Sequence, residues 1–139
     1  MKIKYSVLLL VLIFSMIFLA SCSNKEASAQ LSLSDVKKLF KDNQIKLSDD
    51  QEGKLILKGQ NPHDYIVDNY PYTFLTIYVF DSERQREKGR AEYDKRTKDY
   101  DKPPMEVYEC KNIMVILTAG DRSNKIYKDL SDIMESLRK

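Results

Sequence analysis

The chain has 139 residues, with 23 Lys+Arg against 21 Asp+Glu, one His, two Cys and no Trp, which bounds it to one domain. Removing residues 1–21 takes away Lys2 and Lys4 and no acid, so the remainder carries as many basic as acidic side chains. That balance excludes a dedicated nucleic-acid-binding domain, which shows a basic excess.

The first predicted element is a leader. Lys2 and Lys4 precede an apolar run from Val7 to Leu19, and no charge occurs between Tyr5 and Asn24. A positive end, an apolar middle and the small-residue exit Leu19-Ala20-Ser21 before Cys22 are the three parts of an export signal over residues 1–21. The run is short for a bilayer span, which needs about 20 residues. Leu19-Ala20-Ser21-Cys22 resembles the lipobox of bacterial lipoproteins, in which an aliphatic residue and two small ones precede the cysteine. The resemblance covers residues 1–22, and no family is recognised in the folded part. It implies that the Cys22 thiol receives a diacylglyceryl group, that a signal peptidase cuts between Ser21 and Cys22, and that Cys22 becomes the new N-terminus. Each buried methylene contributes ~0.8 kcal/mol, and two acyl chains anchor durably where one is marginal. The competing interpretation is an uncleaved membrane helix with an incidental cysteine.

The expected location is the extracytoplasmic face of a cell membrane. Ser23, not the inner-membrane retention aspartate, follows Cys22, which leaves the outer membrane open for a Gram-negative source. The Lys-, Ile-, Asn- and Tyr-rich composition resembles that of low-GC Gram-positive bacteria, which have a single membrane. Residues 22–30 are small and polar and form a flexible tether. Its eight residues after Cys22, at ~3.5 Å each, reach at most about 28 Å, so the domain over 31–139 works close to the headgroups.

Within that domain, Leu33, Val36, Leu39 and Phe40 recur at helical spacing, and Ser32 with Asp35 forms a capping pair, predicting a helix over Ser34–Asp42. Ile45-Lys46-Leu47 and Lys54–Lys58, the latter between Gly53 and Gly59, are expected strands. Thr73–Phe80 (TFLTIYVF) sends Leu75, Ile77 and Val79 one way and Phe74, Thr76, Tyr78 and Phe80 the other; two apolar faces predict a central strand. Ser82 with Gln85 caps a charge-dominated surface helix from Glu83 to about Tyr100, with Glu92–Arg96 and Asp94–Lys98 as i,i+4 pairs. Its expected packing stripe is Gln85, Gly89, Tyr93, Arg96 and Tyr100. Glu106–Lys111 and Ile113–Ala119 are strands, as one bent strand or as a hairpin turning near Lys111-Asn112. Ile126, Leu130, Ile133, Met134 and Leu137 share one face of a last helix over Ser123–Leu137. The fold class is α+β, a largely antiparallel sheet with helices packed on one face in a split βαβ-like arrangement.

Most catalytic constellations are missing from the sequence. His63 is the only histidine, so a Ser-His-Asp triad has no other base, and no Gly-x-Ser-x-Gly occurs. With Cys22 modified, Cys110 is the one remaining thiol; its apolar surroundings favour a buried structural role, and no redox pair forms. His63-Asp64 falls short of the three or four ligands of a zinc site. Asp49-Asp50-Gln51-Glu52 lacks calcium-loop spacing, and glycines 53, 59, 89 and 120 are too dispersed for a phosphate loop. No cofactor, metal or catalysis is expected.

Two surfaces remain. The segment Asn61–Tyr72, an expected loop, carries His63, Tyr65, Tyr70 and Tyr72 as candidate partner-binding residues, since tyrosine offers rigid contact area with a polar tip. The charged helix could lean on anionic headgroups, although its excess of two basic side chains is small beside the clusters that bind acidic lipid. The expectation is a lipid-anchored, non-catalytic binding or accessory module with a membrane or envelope protein partner. A protective role of the immunity or exclusion type is one version. The alternatives are a solute-binding accessory of a transporter and a small cell-envelope enzyme.

Overall fold

The computed structural model describes residues 29–50, 53, 55–100, 105–120 and 125–138. The expected signal peptide, its cleavage site at Ser21–Cys22, the Cys22 anchor and most of the tether lie outside the described residues. Among the described residues, no helix is long and apolar enough to cross a membrane.

The elements run α1 (Leu33–Asp42), β1 (Leu47–Asp49), β2 (His63–Val67), β3 (Thr73–Val79), α2 (Glu83–Thr97), β4 (Met105–Cys110), β5 (Ile113–Ala119) and α3 (Ile126–Ser136). The five strands form one sheet in the order β1-β2-β3-β5-β4, and every pair is antiparallel. β3 and β4 therefore run parallel, with β5 between them and α2 as their connection. This is a split βαβ unit, and the molecule is a small α+β domain.

β3 takes the central place because both its faces are covered. It pairs with β5 from Thr73 opposite Ala119 to Val79 opposite Ile113. On one face Leu75, Ile77, Ile113, Val115 and Leu117 pack with Val36 and Phe40 of α1 and with Ile126, Leu130 and Ile133 of α3. On the other face Tyr78, Phe80, Met114 and Ile116 pack with Leu57 and with Tyr93 of α2. Each such side chain contributes roughly 1.5–3 kcal/mol on burial. The helices are therefore split between the faces, α1 and α3 on one and α2 on the other, where the sequence had suggested a single covered face. An apolar second face on β3 and β5 needs a cover, and α2 supplies it.

The caps follow the sequence. Ser32 Oγ accepts from Asp35 N at 3.2 Å while Ser32 N donates to Asp35 Oδ2 at 2.8 Å, and Ser82 Oγ accepts from Gln85 N at 3.2 Å. Asn112, buried in the β4–β5 turn, donates to Phe80 O and to Leu31 O, both at 2.9 Å, and accepts from Leu31 N at 2.8 Å. Gln30 Nε2 donates to Asp81 O at 2.6 Å. The root of the tether is thus fastened beside the start of α2.

Several expectations are corrected. The first strand is Leu47–Asp49 rather than Ile45–Leu47, because Gln44 turns at φ 61° and drops Ile45 into the core. Lys54 lies outside the described residues, and residues 55–58 form no strand. Leu57 instead makes a single bridge to Gln60 around the Lys58-Gly59 turn and is buried. The segment 61–72 is not a loop throughout, since it contains β2. The strands after Pro103-Pro104 form a hairpin. In α2 the buried residues are Arg86, Gly89 and Tyr93, whereas Tyr100 is 71% exposed. Glu92 pairs with Arg96 as expected, but Asp94 pairs with Arg90 rather than Lys98. α3 starts at Ile126 among the described residues.

Candidate functional site

The four residues proposed from sequence have different environments: His63 and Tyr65 share one face of β2, His63 at its exposed start, and Tyr70 and Tyr72 lie in the turn that follows it. Tyr65 points into the core opposite Leu75 and is buried. The Lys37 ammonium of α1 stands 4.9 Å from its ring centroid, a cation–π contact. Tyr70 is half-buried, and its hydroxyl donates to Asp129 Oδ2 at 3.1 Å, which ties the β2–β3 turn to α3. Lys125 Nζ lies 2.8 Å from the same carboxylate oxygen. The Lys125 hydrogen bond, with Tyr70's, holds Asp129 below the usual carboxylate range. Burial, followed by the bond to Asp129, pushes the Tyr70 phenol up. These two tyrosines hold the fold together.

His63 and Tyr72 remain open to solvent. His63 begins β2 and borders an open pocket of about 390 Å³ shared with Asp49, Asp50 and Asn61. Its strand neighbour Asp64 faces the other side of the sheet, where Asp64 Oδ1 accepts from Thr76 Oγ1 at 2.5 Å. Among the described residues, no group of three or more His, Cys, Asp or Glu is placed to hold a metal ion. Asp64 explains Gly53, since a β-carbon at 53 would come closer than 3.0 Å to Asp64 Oδ2. That oxygen is buried and has no hydrogen-bond partner among the described residues. Tyr78 runs alongside and donates to Leu55 O at 2.7 Å; burial, and then the charge of Asp64, raises its phenol well above the ordinary range.

Tyr72 is 82% exposed and sits at φ 55°. It follows Pro71, the arrangement of a turn whose second central residue is ordinarily Gly or Asn. A side chain in this left-handed region costs roughly 1–2 kcal/mol. Two residues on, Phe74 pairs with Ile66 across β2 and β3 on the α2 face of the sheet. They are 42% and 40% exposed, beyond the part of that face that α2 covers. An uncovered apolar pair thus follows directly on an aromatic side chain held in a strained, outward position. Neither Ile66 nor Phe74 was singled out by sequence reasoning. The available signal was the apolar second face of TFLTIYVF, to which Phe74 belongs.

A second cluster lies at the β4 edge. Arg86 is buried and reaches Glu109 at 3.2 Å and Glu83 at 3.3 Å. Arg90 reaches Glu109 at 3.4 Å and Asp94 at 3.0 Å. These pairs hold α2 on the sheet, and nothing in them presents a reactive group. Cys110 is buried, and burial raises its thiol pKa, the setting of an inert cysteine.

No family model, curated protein or solved structure matches the chain.

Proposed function

We propose that this protein is a lipid-anchored extracytoplasmic binding module that acts without catalysis, by contact with a membrane or envelope protein. A protective immunity or exclusion role is its most concrete version. Place is supported by Leu19-Ala20-Ser21-Cys22, and contact is supported by one observation above others: Tyr72 keeps a large exposed aromatic ring at a backbone position that favours glycine. Strain retained at a surface position points to selection for contact rather than for folding. Ile66 and Phe74 extend the apolar area, and tyrosine-rich apolar patches are the anchors of protein interfaces.

The test is a photo-crosslinking amino acid at position 72 in the producing cell. The expected outcome is one membrane protein recovered, and lost when Ile66 and Phe74 are changed to Ser. Recovery of nothing, with a small molecule copurifying instead, favours solute capture. For the anchor, Cys22→Ala is expected to abolish lipid labelling; unchanged labelling rejects the site.

A further inference from the structure

The charge of α2 is small in total but sorted in space. Glu83 and Glu87 pair with Arg86, and Asp94 pairs with Arg90, all on the flank facing β4. Glu92 accepts from the backbone N–H of Lys58 at 3.0 Å and pairs with Arg96 and with the Lys58 ammonium. The exposed residues Arg84, Lys88 and Lys95 make no ion pair among the described residues. They share the crest of the helix with Ala91, because positions 84, 88, 91 and 95 repeat at helical spacing. The Lys58-Gly59 turn, at φ 48° and 80°, rises beside this crest. Between them lies an open groove of about 630 Å³ bordered by Lys58, Lys88, Ala91, Glu92, Lys95 and Arg96, four cations around one neutralised acid.

The position of this groove matters as much as its charge. Gln30, the last residue of the tether, bonds to Asp81 O immediately before α2. A helix of this length spans ~22 Å, so the groove lies within one helix length of the tether's root. We propose that α2 docks the domain onto the leaflet that holds the anchor, with the groove beside Lys58 receiving the phosphate of an anionic phospholipid headgroup. The inference rests on the anchored reading of Cys22. Docking along α2 lays the α2-bearing side of the sheet toward the bilayer and fixes the height at which the Tyr72 surface meets a membrane partner.

The test uses the full lipidated protein carrying Ala91→Cys labelled with an environment-sensitive fluorophore, since Cys110 is buried and Cys22 is acylated. A label at Ser131→Cys on α3 serves as the reference. The protein is floated with phosphatidylcholine vesicles, and with vesicles in which roughly a third of the lipid is phosphatidylglycerol. The expected result is a blue-shifted, brighter signal at position 91 on the anionic vesicles alone, none at 131, and loss of the shift at high salt. At about fivefold per basic residue, Lys88→Glu with Lys95→Glu lowers the docked-to-free ratio at least ~25-fold. Equal signals on both vesicles from protein that floats with both overturn the docking and leave the anchor standing. Protein that floats with neither overturns the anchor and the docking together. Suppression of the shift by free inorganic phosphate at matched ionic strength, with no response to phosphatidylglycerol, assigns the groove to a soluble anion and overturns the membrane proposal.

Discussion

Gly89 lies against the ring of Phe80 so closely that a β-carbon at 89 would sit nearer than 3.0 Å to two of the ring carbons, Cε1 and Cζ. This approach lets α2 settle onto the sheet and cover Tyr78 and Met114. Gly89→Ala therefore opposes two effects, a helix-propensity gain of about 1 kcal/mol and an overpacking loss of roughly 1–3 kcal/mol. Phe80 is buried and has little room to move. The expected outcome is a net loss of stability in urea unfolding, and a gain would show that the ring can shift.

Arg86 is buried in the α2 interface, and Glu109, which it shares with Arg90, is its partner from another element. Glu109→Ala is expected to cost about 1.5–3 kcal/mol, the range for hydrogen bonds to charged groups. Glu83 remains beside Arg86 and limits the loss. Chemical denaturation measures the loss, and the change should fall on α2 and β4 amides in hydrogen exchange.

Tyr72→Gly separates folding from contact. Relief of the left-handed backbone gives back roughly 1–2 kcal/mol, while glycine's extra freedom in the unfolded chain takes about 0.5–1 kcal/mol. Stability is expected to stay level or rise slightly in thermal unfolding. Crosslinking from a second probe at Phe74 is expected to fall. A fall in stability with unchanged crosslinking would make Tyr72 a folding residue.

The Tyr70–Asp129–Lys125 group carries a pH signature. Asp129 is held below its ordinary value of 3.8 in the folded state, so its contribution is full above that value and is lost as pH falls through the lower, folded value. Tyr70 is raised above its ordinary 10.0, so its contribution is full below pH 10 and fades as pH rises through the folded value. Asp129→Asn is expected to flatten the acid limb below about pH 4 and to leave neutral-pH unfolding two-state. An acid limb identical to that of the native chain would remove Asp129 from the account.

Much of the scaffold was legible in the residues. TFLTIYVF announces a central strand, and Ile126, Leu130, Ile133 and Met134 announce a buried helix face, because single-element periodicity carries both. β2 was hidden, since Asn61, Pro62, Asp64, Asp68, Asn69 and Pro71 are turn formers around the two inward positions Tyr65 and Val67. Arg86 falls outside the packing stripe expected for the charged helix, because its burial depends on Glu109, 23 positions along the chain and on another element. The positive φ of Tyr72 has no local signature, since tyrosine is not a residue that seeks it. Ile66 and Phe74 could be read as apolar, but their exposure depends on where α2 ends.

The clasp made by Asn112 also sets how the molecule bears load. On the anchored reading, any drag between envelope and membrane enters the domain at Gln30, held by Asp81 O, and at Leu31, which Asn112 grips from the β4–β5 turn while also gripping Phe80 at the end of β3. The pull is thereby delivered to the longest antiparallel pairing in the sheet, seven residues of β3 against β5. The three-residue edge strand β1, the element easiest to peel, stands off the line of force.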